Sequence, residues 1–375
     1  MMMSNQNSIC TRCIMDTTDP EITFDEHGYC NHCRRFFETI DGIRWLPNED
    51  GKRILDGIIR MIKDEGRGRQ YDGIIGLSGG VDSSYLLCKL KEWGLRPLAV
   101  HVDAGWNLEL AVKNIEVLCK KLDVDLHTIV IDWEAMKNIQ VAFLRSGVKN
   151  QDIPQDHAFF AALYRYAVKN DVRYVFNGSN FATESILPIA WGHDAMDASY
   201  LRAIVRRFGP GRLGRYPVVN FWEYYIYYPY IKRMNVIRPL NYFNYKKNEA
   251  IIELEHNYGW RYYGAKHWES RFTKFFQGYY LPTRFGYDKR KAHLSSLIVS
   301  GEITREDALK EMQKPIYPLD QLESDKAYVL KKLCISPEEF ERMVRSANVA
   351  DNIPTNEMLV KWGLLIKRAI KRYFS

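Results

Sequence analysis

Between residues 71 and 240 the apolar positions switch repeatedly between two patterns. Gly73–Leu77 (GIIGL) is a short apolar run of the kind found in a parallel strand covered on both faces, and it stops at Ser78, Gly79 and Gly80. From Val81 to Trp93 apolar residues return at helical spacing (Val81, Tyr85, Leu86, Leu90), with Asp82, Ser83 and Ser84 in a polar first turn. The alternation continues with a strand at Arg96–Val102, a helix at Asn107–Lys121, a strand at Leu126–Ile131, a helix at Asp156–Asn170, and strands at Arg173–Phe176 and Val236–Leu240. Strands and helices in this order predict an α/β fold with a parallel sheet and right-handed crossovers. Ligands gather beyond the carboxyl ends of such strands, which here are Ser78–Ser84, Asp103–Trp106, Asp132–Trp133 and Asn177–Glu184.

The flanking regions read differently. Residues 1–40 are a cysteine-bearing module, and 41–70 a connector with one amphipathic helix, Gly51–Asp64, ended by Gly66-Arg67-Gly68-Arg69. Residues 71–240 form the α/β domain. Residues 241–375 are mainly helical, with capping pairs at Thr304/Asp307 and Ser336/Glu339, breaks at Pro315 and Pro318, and a basic amphipathic helix at Met358–Tyr373. Phe221–Arg233 is too uniformly apolar and aromatic for a solvated face. It reads as a buried helix between the sheet and the C-terminal region, or else as the lining of a sugar or nucleotide pocket.

At 375 residues and 46% hydrophobic content the chain can bury one large core or two. Its formal charge of +7, read as spread along the chain, suits phosphorylated or carboxylated ligands and permits nucleic acid without demanding it. No stretch reaches the ~20 apolar residues of a membrane span, and MMMSNQNS lacks the features of a signal peptide, so a cytoplasmic location is expected. Four of the seven cysteines form Cys10-x-x-Cys13 and Cys30-x-x-Cys33, 16 residues apart, the spacing of a four-thiolate zinc ribbon. An iron–sulfur cluster also takes four cysteines, and His27 and His32 are alternative ligands. A closed four-Cys site has no open position, so its expected role is structural.

Ser78-Gly79-Gly80-Val81-Asp82-Ser83-Ser84, placed between a strand and a helix, offers backbone N–H groups and hydroxyls to an anion. It lacks the Lys of the Gly-Lys-Ser/Thr phosphate loop and resembles the pyrophosphatase loop of the ATP pyrophosphatases, the superfamily that includes NAD, GMP and asparagine synthetases. That resemblance implies ATP, with the loop holding the leaving pyrophosphate. Asp103, Gly105 and Asn180 are then expected to contact ATP, and Trp106 either covers a ring of the ligand or is a core residue. Asp82 and Glu184 are the candidate magnesium pair, the alternative for Glu184 being a helix cap. Between Tyr263 and Leu309 charged residues are densely mixed with aromatics, a pattern suited either to an anionic, ring-containing substrate or to surface charge over a buried stripe.

Together the four-Cys ribbon, the SGGVDSS loop, the GSNFATES segment and the KHWESRFTKFFQGYYLPTRFGYDKRKAHLSSLI block resemble the N-acetyl sugar amidotransferases of bacterial surface-polysaccharide biosynthesis. The resemblance implies adenylation of an N-acetyl carbonyl oxygen on a nucleotide-activated sugar, followed by ammonia attack to give an acetamidino group. It assigns catalytic roles to Asp82, Glu184, Lys266 and Lys289, and substrate contacts to Trp106, His267, Glu269, Arg284 and Arg290. A UDP-linked diacetamido-uronic acid of an O-antigen is the preferred substrate, with a CMP-linked nonulosonic acid as the alternative. Cys88, Cys119 and Cys334 lie outside any nucleophile elbow, so ammonia is expected from a separate glutaminase paired with a cyclase-like barrel subunit. The rival readings are a tRNA thiolase and a zinc-ribbon scaffold without activity.

Overall fold

A computed structural model describes residues 8–346 and 350–363. Helices α1 (Asn31–Thr39) and α2 (Glu49–Glu65) precede an α/β unit of β1 (Gly73–Gly76), α3 (Val81–Glu92), β2 (Pro97–Asp103), α4 (Glu109–Leu122), β3 (Leu126–Val130), α5 (Trp133–Ser146), α6 (Ile153–Lys169), β4 (Tyr174–Phe176), α7 (Phe181–Glu184), α8 (Ala198–Phe208) and β5 (Asn235–Ile237). The strands form one sheet in the order β3-β2-β1-β4-β5, and every pairing is parallel. Helices α9 (Lys247–Tyr258), α10 (Arg271–Phe275), α11 (Leu281–Phe285), α12 (Lys289–Val299), α13 (Arg305–Met312), α14 (Leu319–Leu333) and α15 (Pro337–Arg345) complete the described C-terminal region.

The unbroken apolar runs follow from burial on both faces of the sheet. Ile74, Leu98 and Val100 enter a core with α5, α6 and α8, whereas the adjacent Ile75 and Ala99 enter a second core with α3, α4 and α9. That second core also takes in the four-Cys module and the C-terminal helices. Hydrogen bonds tie the module down: Ser295 Oγ accepts from the Ile14 N–H at 3.2 Å, and Arg305 donates to the carbonyls of Cys13 and Cys10 at 3.0 and 3.1 Å. Around His27-Gly28 the chain makes a turn closed by one antiparallel bridge, Phe24 to Cys30.

Two elements differ from the sequence reading. Helix α5 arises where only the end of a strand was expected; Asp132 caps it by accepting from the Ala135 N–H at 2.9 Å, and Gly147 closes it at φ +67°. Phe221–Arg233 does form a helix, a wide π-type turn over Glu223–Ile231 with Pro229 inside, but Tyr228 is its buried side chain. Trp222, Tyr230 and Ile231 are 66%, 62% and 64% exposed, so this stretch lies on the surface and is not sandwiched between sheet and C-terminal region. A proline without an N–H and a five-residue hydrogen-bond period spread its aromatics around the axis, so no single face can bury them all. Met358–Gly363 is helical, and the rest of the amphipathic helix expected to Tyr373 lies outside the described residues. No described helix is long and apolar enough to cross a membrane.

Candidate functional site

The sheet's chain order reverses direction between β1 and β4, which places a crevice at the carboxyl ends of those two strands. A cavity of about 520 Å³ occupies it. One wall is the loop from Ser78 to Ser83. Gly79 sits at φ +81°, and a Cβ there would lie 2.5 Å from the Ala111 carbonyl, so the tight turn requires glycine. Its own carbonyl accepts from the buried Trp260 indole at 3.2 Å, which fixes the turn from behind. Gly80 precedes α3 with no side-chain cap. The N–H groups of Gly80 and Val81 donate to the hydroxyls of Ser78 and Tyr263 at 3.2 and 3.3 Å, and Ser83 Oγ lies 3.2 Å from Ser78 Oγ. This row of donors at a helix start is held by hydroxyls that phosphate oxygens can replace. Gly178, after β4, approaches so closely that a Cβ would stand 3.0 Å from the Ser83 nitrogen.

Lys266 reaches into this crevice from the loop before α10. Its ammonium lies 2.9 Å from Glu184 and 3.5 Å from Asp82, and donates to Thr183 Oγ1 at 2.7 Å. The Tyr245 hydroxyl donates to the second oxygen of Asp82. Burial opposes the lysine charge, yet the carboxylates of Glu184 and Asp82 outweigh it and hold Lys266 above its ordinary pKa. Burial also opposes the Glu184 charge, and Lys266 and His267 hold that carboxyl below its usual range. His267, in the left-handed region at φ +64°, points its ring to within 5.5 Å of the His293 ring. Burial, then the charge on Lys266 and its neighbours, keeps His293 neutral, with its pKa well below the ordinary imidazole value. Lys247 and Lys289 also line the cavity.

A second polar group lies at the start of α6. Asp152 accepts from Thr273 Oγ1 at 2.9 Å and from Gln155 and Gln277, each at 3.3 Å. Burial raises its pKa, and burial together with the Asp152 charge pushes Asp156 up to about 7. Sequence reasoning missed this pair, because Asp156 was read only as a helix start. The signal lay in an acidic residue either side of Ile-Pro at the first turn, ahead of an apolar face. Phe159, Phe160 and Leu163, one or two turns further along α6, give the cavity its apolar floor.

Of the residues expected at the site, Ser78, Gly80, Val81, Asp82, Ser83, Glu184, Lys266, His267, Glu269 and Lys289 line the cavity. The others do not. Gly79 packs behind the loop, and Ser84 is fully buried in α3. Asp103 orders its own loop, accepting from Gly105 N–H at 2.7 Å and Asn107 at 3.1 Å. Gly105 is closed off by Trp133, and Trp106, 1% exposed, packs between Trp133 and Phe272 as a core residue. Asn180 caps α7 through the Thr183 N–H at 3.0 Å. Arg284 binds the carbonyls of Met343 and Val344 at the end of α15, and Arg290 is folded back on Asp288 at 2.8 Å and on the Lys314 carbonyl. These two guanidinium groups brace helices, which is why they do not face the cavity.

The cysteines of the two N-terminal pairs converge, with all four sulfurs within 4.8 Å of one another. Cys10 and Cys33 are 3.9 Å apart and Cys13 and Cys30 3.7 Å; a tetrahedral ion bound at ~2.3 Å by four thiolates spaces its sulfurs ~3.8 Å apart. Backbone N–H groups of Arg12, Cys13 and Cys30 point at the Cys10 sulfur, at 3.4, 3.4 and 3.2 Å, and favour its thiolate. The set is consistent with zinc, and is narrower than a cluster with its thiolates on separate irons requires. His32 is engaged by Asp19 at 2.6 Å, and His27 is exposed beside Glu26, so neither joins the set.

Two outcomes follow from these environments. The purified chain should contain a single tightly bound zinc by elemental analysis, and Cys13→Ser should lose it and melt several degrees lower; an unchanged melting temperature without metal would reject the structural role. Asp156 has a folded pKa raised to about 7, so its contribution to stability is present at low pH and lost as pH rises through 7. Relative to the natural chain, Asp156→Asn should therefore gain melting temperature between pH 4 and pH 8; a difference independent of pH would show that the carboxyl is not buried as described.

Comparison with known proteins adds four similarities. Residues 269–368 match the family described as LPS biosynthesis protein WbpG-like, C-terminal domain. A tRNA(Ile)-lysidine synthase from Chlamydia pneumoniae is 30% identical over 118 residues, which is 30% of this chain and 34% of that enzyme, so the match spans about a third of the relative's length. Among solved structures, the U34-tRNA thiolase NcsA from Methanococcus maripaludis aligns over 92% of this chain and 97% of its own, at 12% identity and a TM-score of 0.35. An NH3-dependent NAD synthetase from Campylobacter jejuni aligns over 42% and 72%, at 18% identity and a TM-score of 0.28. The stretch that supplies Glu269, Thr273, Lys289 and His293 to the cavity thus lies within the segment that matches the WbpG-like C-terminal domain.

Proposed function

We propose that this chain is an ATP-dependent amidotransferase that converts an N-acetyl group of a nucleotide-activated sugar into an acetamidino group, releasing AMP and pyrophosphate. The observation that carries the reading is that one cavity holds a phosphate-type cradle with Lys266, Asp82 and Glu184 at one pole and the buried Asp152 with the half-buried Asp156 elsewhere in its lining. A reaction that expels a polyanion and also takes a proton from an incoming amine needs both. The WbpG-like domain supports a saccharide substrate of LPS assembly, with a UDP-linked diacetamido-uronic acid preferred and a CMP-linked nonulosonic acid second.

In this mechanism the Ser78–Ser83 loop and Lys266 hold the β- and γ-phosphates of ATP. The acetamido oxygen attacks the α-phosphorus, an O–P bond forms, and the bond to pyrophosphate breaks. Asp82 and Glu184 would hold the magnesium that accompanies ATP: both converge on the position the Lys266 ammonium now shares, and such oxygens suit a hard cation. Bound there it would neutralise charge on the leaving pyrophosphate. Ammonia then adds to the adenylated carbon, the C–O bond breaks, and AMP departs with the original oxygen. Asp156, with a pKa of about 7, takes the proton the nitrogen sheds. The chain's contribution is positioning and charge stabilisation.

The ammonia source is part of the proposal. Burial pushes Cys88 up to about 12 and Cys119 to about 11, so both are unreactive thiols at neutral pH. Cys334 is exposed at the end of α14, away from the cavity. A separate glutaminase with a cyclase-like barrel subunit would supply ammonia.

With ATP, ammonium and a panel of sugar nucleotides, mass spectrometry should show one carbonyl oxygen exchanged for NH in the product, together with AMP and pyrophosphate. ADP as the product would overturn the adenylation step. Asp82→Ala and Lys266→Ala should each lower turnover by about 10²-fold or more, the order seen when a charge-stabilising group is removed. Glutamine in place of ammonium should give no product with the purified chain; glutamine-dependent turnover would show that it carries its own glutaminase.

A further inference from the structure

Between residues 202 and 238 the sequence contains eight arginines and lysines against one acidic residue, Glu223. The net +7 of this stretch equals the formal charge of the entire chain, so the remainder balances to zero and the excess is concentrated here, contrary to the reading of a charge spread along the chain. All eight basic residues are exposed, and among the described residues none of them forms an ion pair, although carboxylate partners are common elsewhere on the surface. Exposed large apolar side chains sit in the same stretch: Trp222, Ile226, Tyr230 and Ile231.

The inner side of this region is firmly seated. Leu201, Ile204 and Val205 of α8 join the core with α5 and α6, the Tyr216 hydroxyl donates to the Pro154 carbonyl at 2.6 Å, and the rings of Tyr224 and Tyr228 pack on Tyr164 of α6. The exposed side chains of the stretch are mainly cations and apolar groups, with Arg207 also donating to the Asp351 carbonyl at 3.0 Å and Tyr225 to the Asp194 carboxylate at 3.4 Å. Lys232 sits 5.7 Å from the Tyr227 ring and Arg207 5.1 Å from the Phe208 ring. Each class of ligand would use only part of this surface, except one. Nucleic acid rewards the charges and some rings but gives nothing for exposed isoleucines. An apolar protein patch would bury the rings but leave eight positive charges unmatched. An anionic bilayer takes both, with Trp, Tyr and Ile at the headgroup boundary and Arg and Lys among the phosphates.

We propose that the exposed basic and apolar side chains of residues 202–238 dock this protein peripherally on an anionic lipid bilayer. The inference is independent of the chemistry assigned to the cavity, and none of the residues it uses lines that cavity. In co-sedimentation, the full chain should pellet with phosphatidylcholine vesicles containing phosphatidylglycerol and remain soluble with phosphatidylcholine alone, and added salt should release it. Arg206→Glu/Arg207→Glu and Trp222→Ala/Tyr230→Ala should each weaken binding at least about tenfold, given that each surface Lys or Arg contributes about fivefold, with unchanged circular dichroism and bound zinc. Absence of binding to the anionic vesicles at low salt would overturn the proposal, as would binding unaffected by both variants. RNA binding equal in the natural chain and in Trp222→Ala/Tyr230→Ala, with no vesicle binding, would assign the face to nucleic acid instead.

Discussion

The structure turns on one buried cation. Lys266 is anchored in a loop that no regular element supports, yet its ammonium is almost withdrawn from solvent and shared by Glu184 and Asp82. Those carboxylates follow β4 and β1, so the contact closes the C-terminal region over the switch point of the sheet. A charge so enclosed is tolerable only with its partners, and removing one side of such an arrangement costs on the order of 3–5 kcal/mol. The same contact that pins the loop also presents a positive charge to the phosphate-type cradle. Stability and the capacity to hold an anion therefore rest on the same atoms.

The N-terminal four-Cys module belongs to the same construction. Ser295 and Ser296 of α12 receive the N–H groups of Ile14 and Ile186, and Arg305 of α13 grips the carbonyls of Cys10 and Cys13. Helix α12 carries Lys289 and His293 into the cavity. A module too small to fold on apolar burial alone would gain rigidity from a metal held by its four cysteines and pass it to the helix that carries Lys289 and His293. In this sense a closed site with no open coordination position still bears on the cavity, through position.

What could be read from the sequence is what is local. The glycine turn from Ser78 to Gly80, the alternating strands and the two cysteine knuckles are each specified within a few residues, and all appear where expected. What could not be read is which distant groups face one another. Arg284 and Arg290 look as suited to an anion as Lys266 does, but helix-end carbonyls and a neighbouring aspartate claim them first. Trp106 shares its loop with Gly105, and only the placement of Trp133 and Phe272 makes it core. Asp152 and Asp156 flank Ile153-Pro154-Gln155 without belonging to a recognised motif, and they meet the cavity because the first turn of α6 lies at the crevice.

The aromatic run at Phe221–Arg233 shows the limit of composition as a guide to burial. Its apolar content exceeds what a solvated helix normally carries, yet the widened turn around Pro229 lets Tyr224 and Tyr228 pack inward on Tyr164 and sends Trp222, Tyr230 and Ile231 outward. Exposed apolar surface of this kind tends to drive association, and here it shares its stretch of chain with eight cations that form no ion pair among the described residues. Like charges repel a second copy of the same face, which disfavours self-association while leaving an anionic surface attractive. The charge pattern therefore selects among the partners that the apolar groups alone would leave open.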